Sequence, residues 1–171
     1  MTQTEKSLGA IALPAVLAVS TLTGSTVLAC MMPFAAIAAI AALAMPARRG
    51  AAAVGLCWLG NQVLGFGLMG FPRDGATFAA GLSLLGSSLL AFVAARVVAG
   101  RGANALLAFC AAFAAFEAML FAYALPFGDP SLFAAEIVGL IALNDGLWFA
   151  GLWLGWQVLA PLPALAAWQA R

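Results

Sequence analysis

Polar residues interrupt this chain in only a few places, and those interruptions set the predicted elements. After a short polar start over 1–7, the apolar run 8–45 is too long for one membrane span. The cluster Thr21-Leu22-Thr23-Gly24-Ser25-Thr26 divides it, predicting spans over 8–23 and 26–45. Pro14 and Pro33 fall inside these two as kinks of the kind bilayer helices tolerate. Pro46-Ala47-Arg48-Arg49-Gly50 reads as a basic turn before a third span over 51–70. Phe71-Pro72-Arg73-Asp74-Gly75 is a tight turn, and the fourth span is 76–98. Gly100-Arg101-Gly102 precedes a fifth span over 105–125, ended by Pro126-Phe127-Gly128-Asp129-Pro130. The last stretch, 131–159, is either one long tilted helix or one broken near Asn144-Asp145-Gly146, and Pro161 and Pro163 close it. The predicted fold class is therefore all-α, a polytopic membrane bundle of about six helices in a single domain, 1–171.

The third span carries more than a plain anchor needs. It has no charge, yet Cys57, Asn61 and Gln62 stand where leucine would suffice. Amides in hydrocarbon cost free energy unless a partner helix or a ligand satisfies them. On a helix, Cys57 and Asn61 share a face one turn apart, with Gln62 about 100° further round. Glycines at 55, 60, 65, 67 and 70 let another backbone or a bulky ligand approach closely. Gly65-Phe66-Gly67-Leu68-Met69-Gly70 matches GxGxxG, but without a preceding strand it is no dinucleotide fingerprint. Gly151-Leu152-Trp153-Leu154-Gly155 predicts a helix-contact face.

Composition supports the membrane reading and removes other classes. Hydrophobic residues make up 65% of the chain and charged ones 8%, and mean hydropathy is +1.09; a soluble domain is about half apolar and a quarter charged. A net charge of +1 argues against a nucleic-acid partner. The absence of histidine excludes histidine-ligated haem, HExxH zinc proteases and histidine-based nickel or cobalt carriers. Of seven basic residues, Lys6, Arg48, Arg49, Arg96, Arg101 and Arg171 fall on one side of six spans and Arg73 on the other. That asymmetry predicts both termini in the cytoplasm. Two processing readings compete at the start: Lys6 with the following apolar stretch resembles a signal peptide, and Val27-Leu28-Ala29-Cys30 resembles a lipoprotein cleavage box. The apolar continuation beyond Cys30 favours a helical hairpin.

Intramembrane acids are the other candidate chemistry. Glu117 is mid-span in the fifth helix, with Cys110, Phe113 and Phe121 at helical spacing; Glu136 lies near the start of the sixth, and Asn144 and Asp145 near its middle. An ionised carboxylate at bilayer centre costs about 2.5–3.5 kcal/mol on insertion scales. Such groups therefore relay protons, contact a ligand, or pair with other helices, Arg96 being one available partner. Tyr123, Trp153 and Trp156 fit interface anchors, whereas Trp148 is deep enough to line a pocket. The three cysteines, at 30, 57 and 110, form no CxxC; Cys30-Met31-Met32 offers soft metal donors, as does Cys57.

Six short helices, little loop and a polar third span resemble the substrate-binding (S) components of energy-coupling-factor vitamin transporters. Cys57-Trp58-Leu59-Gly60-Asn61-Gln62, continuing through Gly65-Phe66 to Phe71-Pro72, resembles the solitary cobalamin-uptake type of Gram-negative bacteria. The resemblance implies that a pocket cysteine ligates the corrin cobalt and can remove cyanide from it. It points to Cys57 as that thiol, with Cys30 as second choice. It also implies a coupling membrane subunit as partner, although Ala12, Ala15 and Ala18 recur every three residues around Pro14 instead of forming the usual AxxxA docking pattern. The expected function is uptake of a vitamin-like solute, cobalamin first, with no intrinsic cofactor and no catalytic residue beyond a decyanating cysteine. Asn61 and Gln62 would bind the ligand's amide fringe, Arg73 and Tyr123 would form an outer rim, and Glu117, Glu136, Asn144 and Asp145 complete the expected ligand-binding set. The alternatives are a non-catalytic assembly subunit and a proton-coupled carrier using Glu117, Glu136 and Asp145.

Overall fold

The structure is a computed structural model and describes Val16, Val19 and residues 32–160. Over that range it is an all-α bundle of five α-helices: α1 (Phe34–Ala44), α2 (Ala47–Gly67), α3 (Gly75–Gly100), α4 (Ala105–Phe127) and α5 (Ala135–Leu159), with a 3-10 turn at Pro130–Phe133 before α5.

The bundle is organised around its shortest member. α1 reads FAAIAAIAALA, apolar all round, and every residue but Leu43 is buried. A helix without a polar face belongs inside protein, and its alanines let neighbouring backbones approach closely. It packs against all four longer helices. α3 and α4 form the most extensive pair, while α5 touches α4 little and is held chiefly by α1. Phe149 of α5 also stacks on Phe109 of α4 at 4.6 Å, and Trp156 is buried.

Local signals set most helix ends. Asp74 accepts the Thr77 N–H at 2.8 Å, and Asn104 accepts the Leu107 N–H at 2.9 Å; both are N-caps three residues ahead of their donors. Asp129 likewise accepts from the Ser131 N–H at 2.9 Å. Those bonds, and at Asp129 first the Ser131 side chain, hold the Asp74 and Asp129 carboxyls below the usual carboxylate range. Gly70 and Gly102 take φ of +69° and +82° in the turns after α2 and α3, where a side chain would be strained.

The outer faces are apolar: Leu56, Leu82, Leu106, Leu140 and Val158 project from α2 to α5. The inside carries buried Ser87 and Ser88, whose hydroxyls donate back to the Ser83 and Leu84 carbonyls at 2.8 and 2.7 Å. Among the described residues α3, α4 and α5 are long and apolar enough to cross a membrane. Of the six expected spans, these three meet that measure of length and apolarity. The predicted span 8–23 lies outside the described residues, apart from Val16 and Val19. Of 26–45 only α1 is described, and its eleven residues reach about 16 Å, half a hydrocarbon core. α2 is 21 residues long, but Arg48, Arg49, Asn61 and Gln62 dilute its apolar character. The basic turn at 46–50 is in fact its first helical turn.

Three corrections have local causes. Pro33 is the N-cap of α1 and not an internal kink. α4 runs through Pro126 to Phe127, with the proline inside its last turn. The stretch 131–159 breaks at Ala134 and not at Asn144-Asp145-Gly146, which lie within unbroken helix.

Candidate functional site: a chamber above a half-length helix

α1 is much shorter than the helices around it, so they enclose space beyond its N-terminus. A chamber of about 400 Å³ occupies that space. Asn61 from α2, Glu117 from α4 and Asn144 from α5 line it, and most of the remaining wall is apolar, including Phe34, Phe71 and Phe116. Leu84, Phe133 and Ile141 bring in α3, the 3-10 turn and another turn of α5. Every described helix therefore contributes. Helices that stop at mid-depth and leave a lined space beyond their ends are a recurrent way to build sites inside membranes.

The floor of the chamber is a closed helix end. Pro33 carries no N–H and offers no side-chain cap, and the Phe34 N–H is bonded to the Met32 carbonyl at 2.8 Å. Asp145, 1% exposed, accepts the Ala36 N–H at 2.8 Å across 109 residues of sequence. The Phe34 and Ala36 N–H groups, among the N-terminal donors that a helix leaves without partners, are thus used, and a carboxylate stands at the positive end of the α1 dipole. At the other end Arg96 donates from Nη1 to the Ala42 and Met45 carbonyls, at 3.2 and 2.8 Å. Arg96 is therefore the clamp on the C-terminus of α1.

Glu117 differs from every other polar group in this interior. Among the described residues, its two carboxyl oxygens are the buried side-chain polar atoms left without a hydrogen-bond partner. Asp145, next to Asn144 on α5, is by contrast engaged with the Ala36 N–H.

The structure brings together Asn61, Glu117 and Asn144, with Asp145 immediately behind, and separates them from the rest of the expected set. Cys57 is 3% exposed in the core and is absent from the chamber wall. Gln62 packs on α3 beside Gly81, whose carbonyl accepts the Trp58 Nε1–H at 2.7 Å. Arg73 donates to the Phe66 carbonyl at 3.4 Å beside a smaller, more open recess shared with Phe78. Tyr123 packs on Phe127 at 5.6 Å between ring centres. Glu136 is exposed in the first turn of α5, and Cys110 is exposed on α4. Trp148 is half-buried against the core and does not line the chamber. Cys30 lies outside the described residues. Among the described residues no three cysteine or acidic side chains gather as a metal site. The aromatic and aliphatic wall was not singled out from sequence, although Ile137, Ile141 and Asn144 follow helical spacing on one face of α5.

No protein-family model, curated protein or solved structure matches this chain.

Proposed function

We propose that the chain is a membrane-embedded binding protein for a small solute taken up across a bacterial inner membrane, and that the chamber is its binding site. The observation that carries this is the convergence of Asn61, Glu117 and Asn144, from three helices, on one largely apolar space. A few placed polar groups in an apolar concavity is the usual form of a small-molecule site. The topology that goes with this reading has six spans and both termini in the cytoplasm. Arg48, Arg49, Arg96 and Arg101 then cluster at the C-terminal end of α1, and the chamber opens toward the outer side with the 68–74 and 128–134 connections.

The chamber fits a smaller ligand than a corrinoid. About 400 Å³ is at the low end of the ~300–1,000 Å³ that holds drug-sized molecules, and a corrinoid is far larger than these. The thiol that the resemblance assigns to cobalt is also buried away from the wall. Small-solute uptake is therefore the function proposed, with cobalamin retained as the outcome that would displace it.

Binding by the purified protein, followed through tryptophan fluorescence and thermal shift against vitamin-like solutes and cyanocobalamin, tests the reading. Ile141→Trp, which fills the chamber, should abolish whatever binding the wild type shows. Binding that survives Ile141→Trp would place the site elsewhere. A thiolate-to-cobalt band with cyanocobalamin that Cys57→Ser removes would mean that the bundle opens around a corrinoid. A second reading, an assembly subunit, is supported by the α5 face that carries Gly151 and Gly155, where nothing stands within 4 Å of an added Cβ.

A further inference from the structure

We propose that the solute is a small, largely apolar organic cation, such as a protonated primary amine on a ring-sized hydrophobic body, held by a charge-assisted hydrogen bond to Glu117. This rests on the chamber being the solute site and names the class of solute it takes.

The chamber's polar groups are unequal. Two amides can each donate and accept, and so leave the sign of a ligand's charge open. Glu117 decides it, because both its oxygens are buried and unpartnered. An ionised carboxylate in apolar surroundings is costly without a neutralising partner, so the group takes either a proton or a cation. Among the described residues, the donors at the two ends of α1 and beside the smaller recess that would favour an anion are already engaged. The Ala36 N–H serves Asp145, Arg96 is bound to carbonyls at the far end of α1, and Arg73 is bound to Phe66 beside the smaller recess. Asp145, whose carboxyl accepts the Ala36 N–H, offers an anion no donor.

The wall sets the rest of the ligand. Phe34, Phe71 and Phe116 offer aromatic surface to an apolar body, and to a cation on their faces. A volume of about 400 Å³ leaves room for a ring and a short chain. Asn61 and Asn144 then select orientation by bonding whatever polar substituent the body carries. The cation replaces the proton on Glu117, so each binding event exchanges one positive charge for another and leaves the net charge of the occupied chamber unchanged.

Three probes of similar shape and different charge separate the possibilities: phenethylamine, 2-phenylethanol and 3-phenylpropionate, titrated calorimetrically into the full chain in nanodiscs at neutral pH. The amine should bind about 10–100-fold more tightly than the alcohol, the difference a charge-assisted bond supplies, and the acid should bind weakest. Glu117→Gln should bring the amine to within about threefold of the alcohol while the alcohol's own affinity holds, which shows the chamber intact. An alcohol that matches the amine in the wild type, or an amine preference that survives Glu117→Gln, overturns the cation assignment and leaves the chamber standing. If none of the three binds the wild type, and Ile141→Trp changes no solute's binding, the cation assignment and the chamber reading fall together.

Discussion

Asp145 and Arg96 hold opposite ends of one helix. The carboxylate accepts the Ala36 N–H at 2.8 Å, and the guanidinium donates to the Met45 carbonyl at 2.8 Å. Each charge sits at the end of α1 whose partial charge it opposes. An eleven-residue helix is too short to be stable alone, and this one has backbone groups exposed at both ends inside an apolar bundle. The two side chains supply what water would supply to a soluble helix, and they fix the depth at which α1 stops.

Removing either clamp should therefore loosen the centre of the bundle. Asp145→Ala leaves the buried Ala36 N–H unsatisfied and should cost about 1–3 kcal/mol, whereas Asp145→Asn keeps an acceptor and should cost less. Arg96→Met should cost a similar amount by leaving two carbonyls bare. The clamps are well separated along α1, so the Asp145→Asn/Arg96→Met double variant should be additive within about 0.5 kcal/mol. Thermal unfolding in detergent measures all four. An Asp145→Ala protein as stable as wild type would show that the Asp145 bond contributes nothing net.

Glycines on α2 and α5 should behave oppositely. A Cβ on Gly50 would stand 2.6 Å from the Phe92 ring and 2.9 Å from the Ala41 carbonyl oxygen. The second obstacle is backbone and cannot swing away, so Gly50→Ala should destabilise by about 1–3 kcal/mol. Gly155 has open space around it, so Gly155→Ala should be neutral or stabilise by up to about 1 kcal/mol through helix propensity. Melting temperatures decide between these signs. A Gly155→Ala variant that instead changes oligomeric state by light scattering would reveal a partner on that face.

Acid should weaken the ends of the bundle through Asp74 and Asp129. Both carboxyls lie below their ordinary value because of hydrogen bonds, chiefly from the Thr77 N–H for Asp74 and from the Ser131 side chain and then its N–H for Asp129. Their stabilising effect is therefore complete above the unfolded value, near 4, and is lost as pH falls through the lowered folded value. Melting temperature should drop as pH falls below about 4. In Asp74→Asn, which still caps but does not titrate, that drop should be shallower. An identical acid profile in wild type and variant would remove Asp74 from the account.

Sidedness is open to direct test. In a background with the native cysteines replaced, Pro72→Cys and Ser131→Cys should react with a membrane-impermeant maleimide added from the periplasm, and Arg49→Cys should react only after the membrane is opened. The reverse pattern would invert the topology and place the chamber on the cytoplasmic side.

The sequence alone determined the helical class, the turns at 71–75 and 100–102, and the polar residues Asn61, Glu117, Asn144 and Asp145 within apolar stretches. These are local properties: a turn is marked by its own glycines and prolines, and a hydropathy window spans one helix. Only the tertiary structure decided that α1 is half-length and central, because an apolar run reads the same facing lipid or facing protein. It also decided which polar residues meet. Cys57, Asn61 and Gln62 are adjacent in sequence, yet only Asn61 reaches the chamber, because one turn of helix carries them past different neighbours. Asp145 and Arg96 bind backbone groups of α1 at sequence separations of 109 and 51. Every residue but proline carries a backbone N–H and every residue a carbonyl, so no residue type in the sequence marks Ala36 or Met45 as the partner.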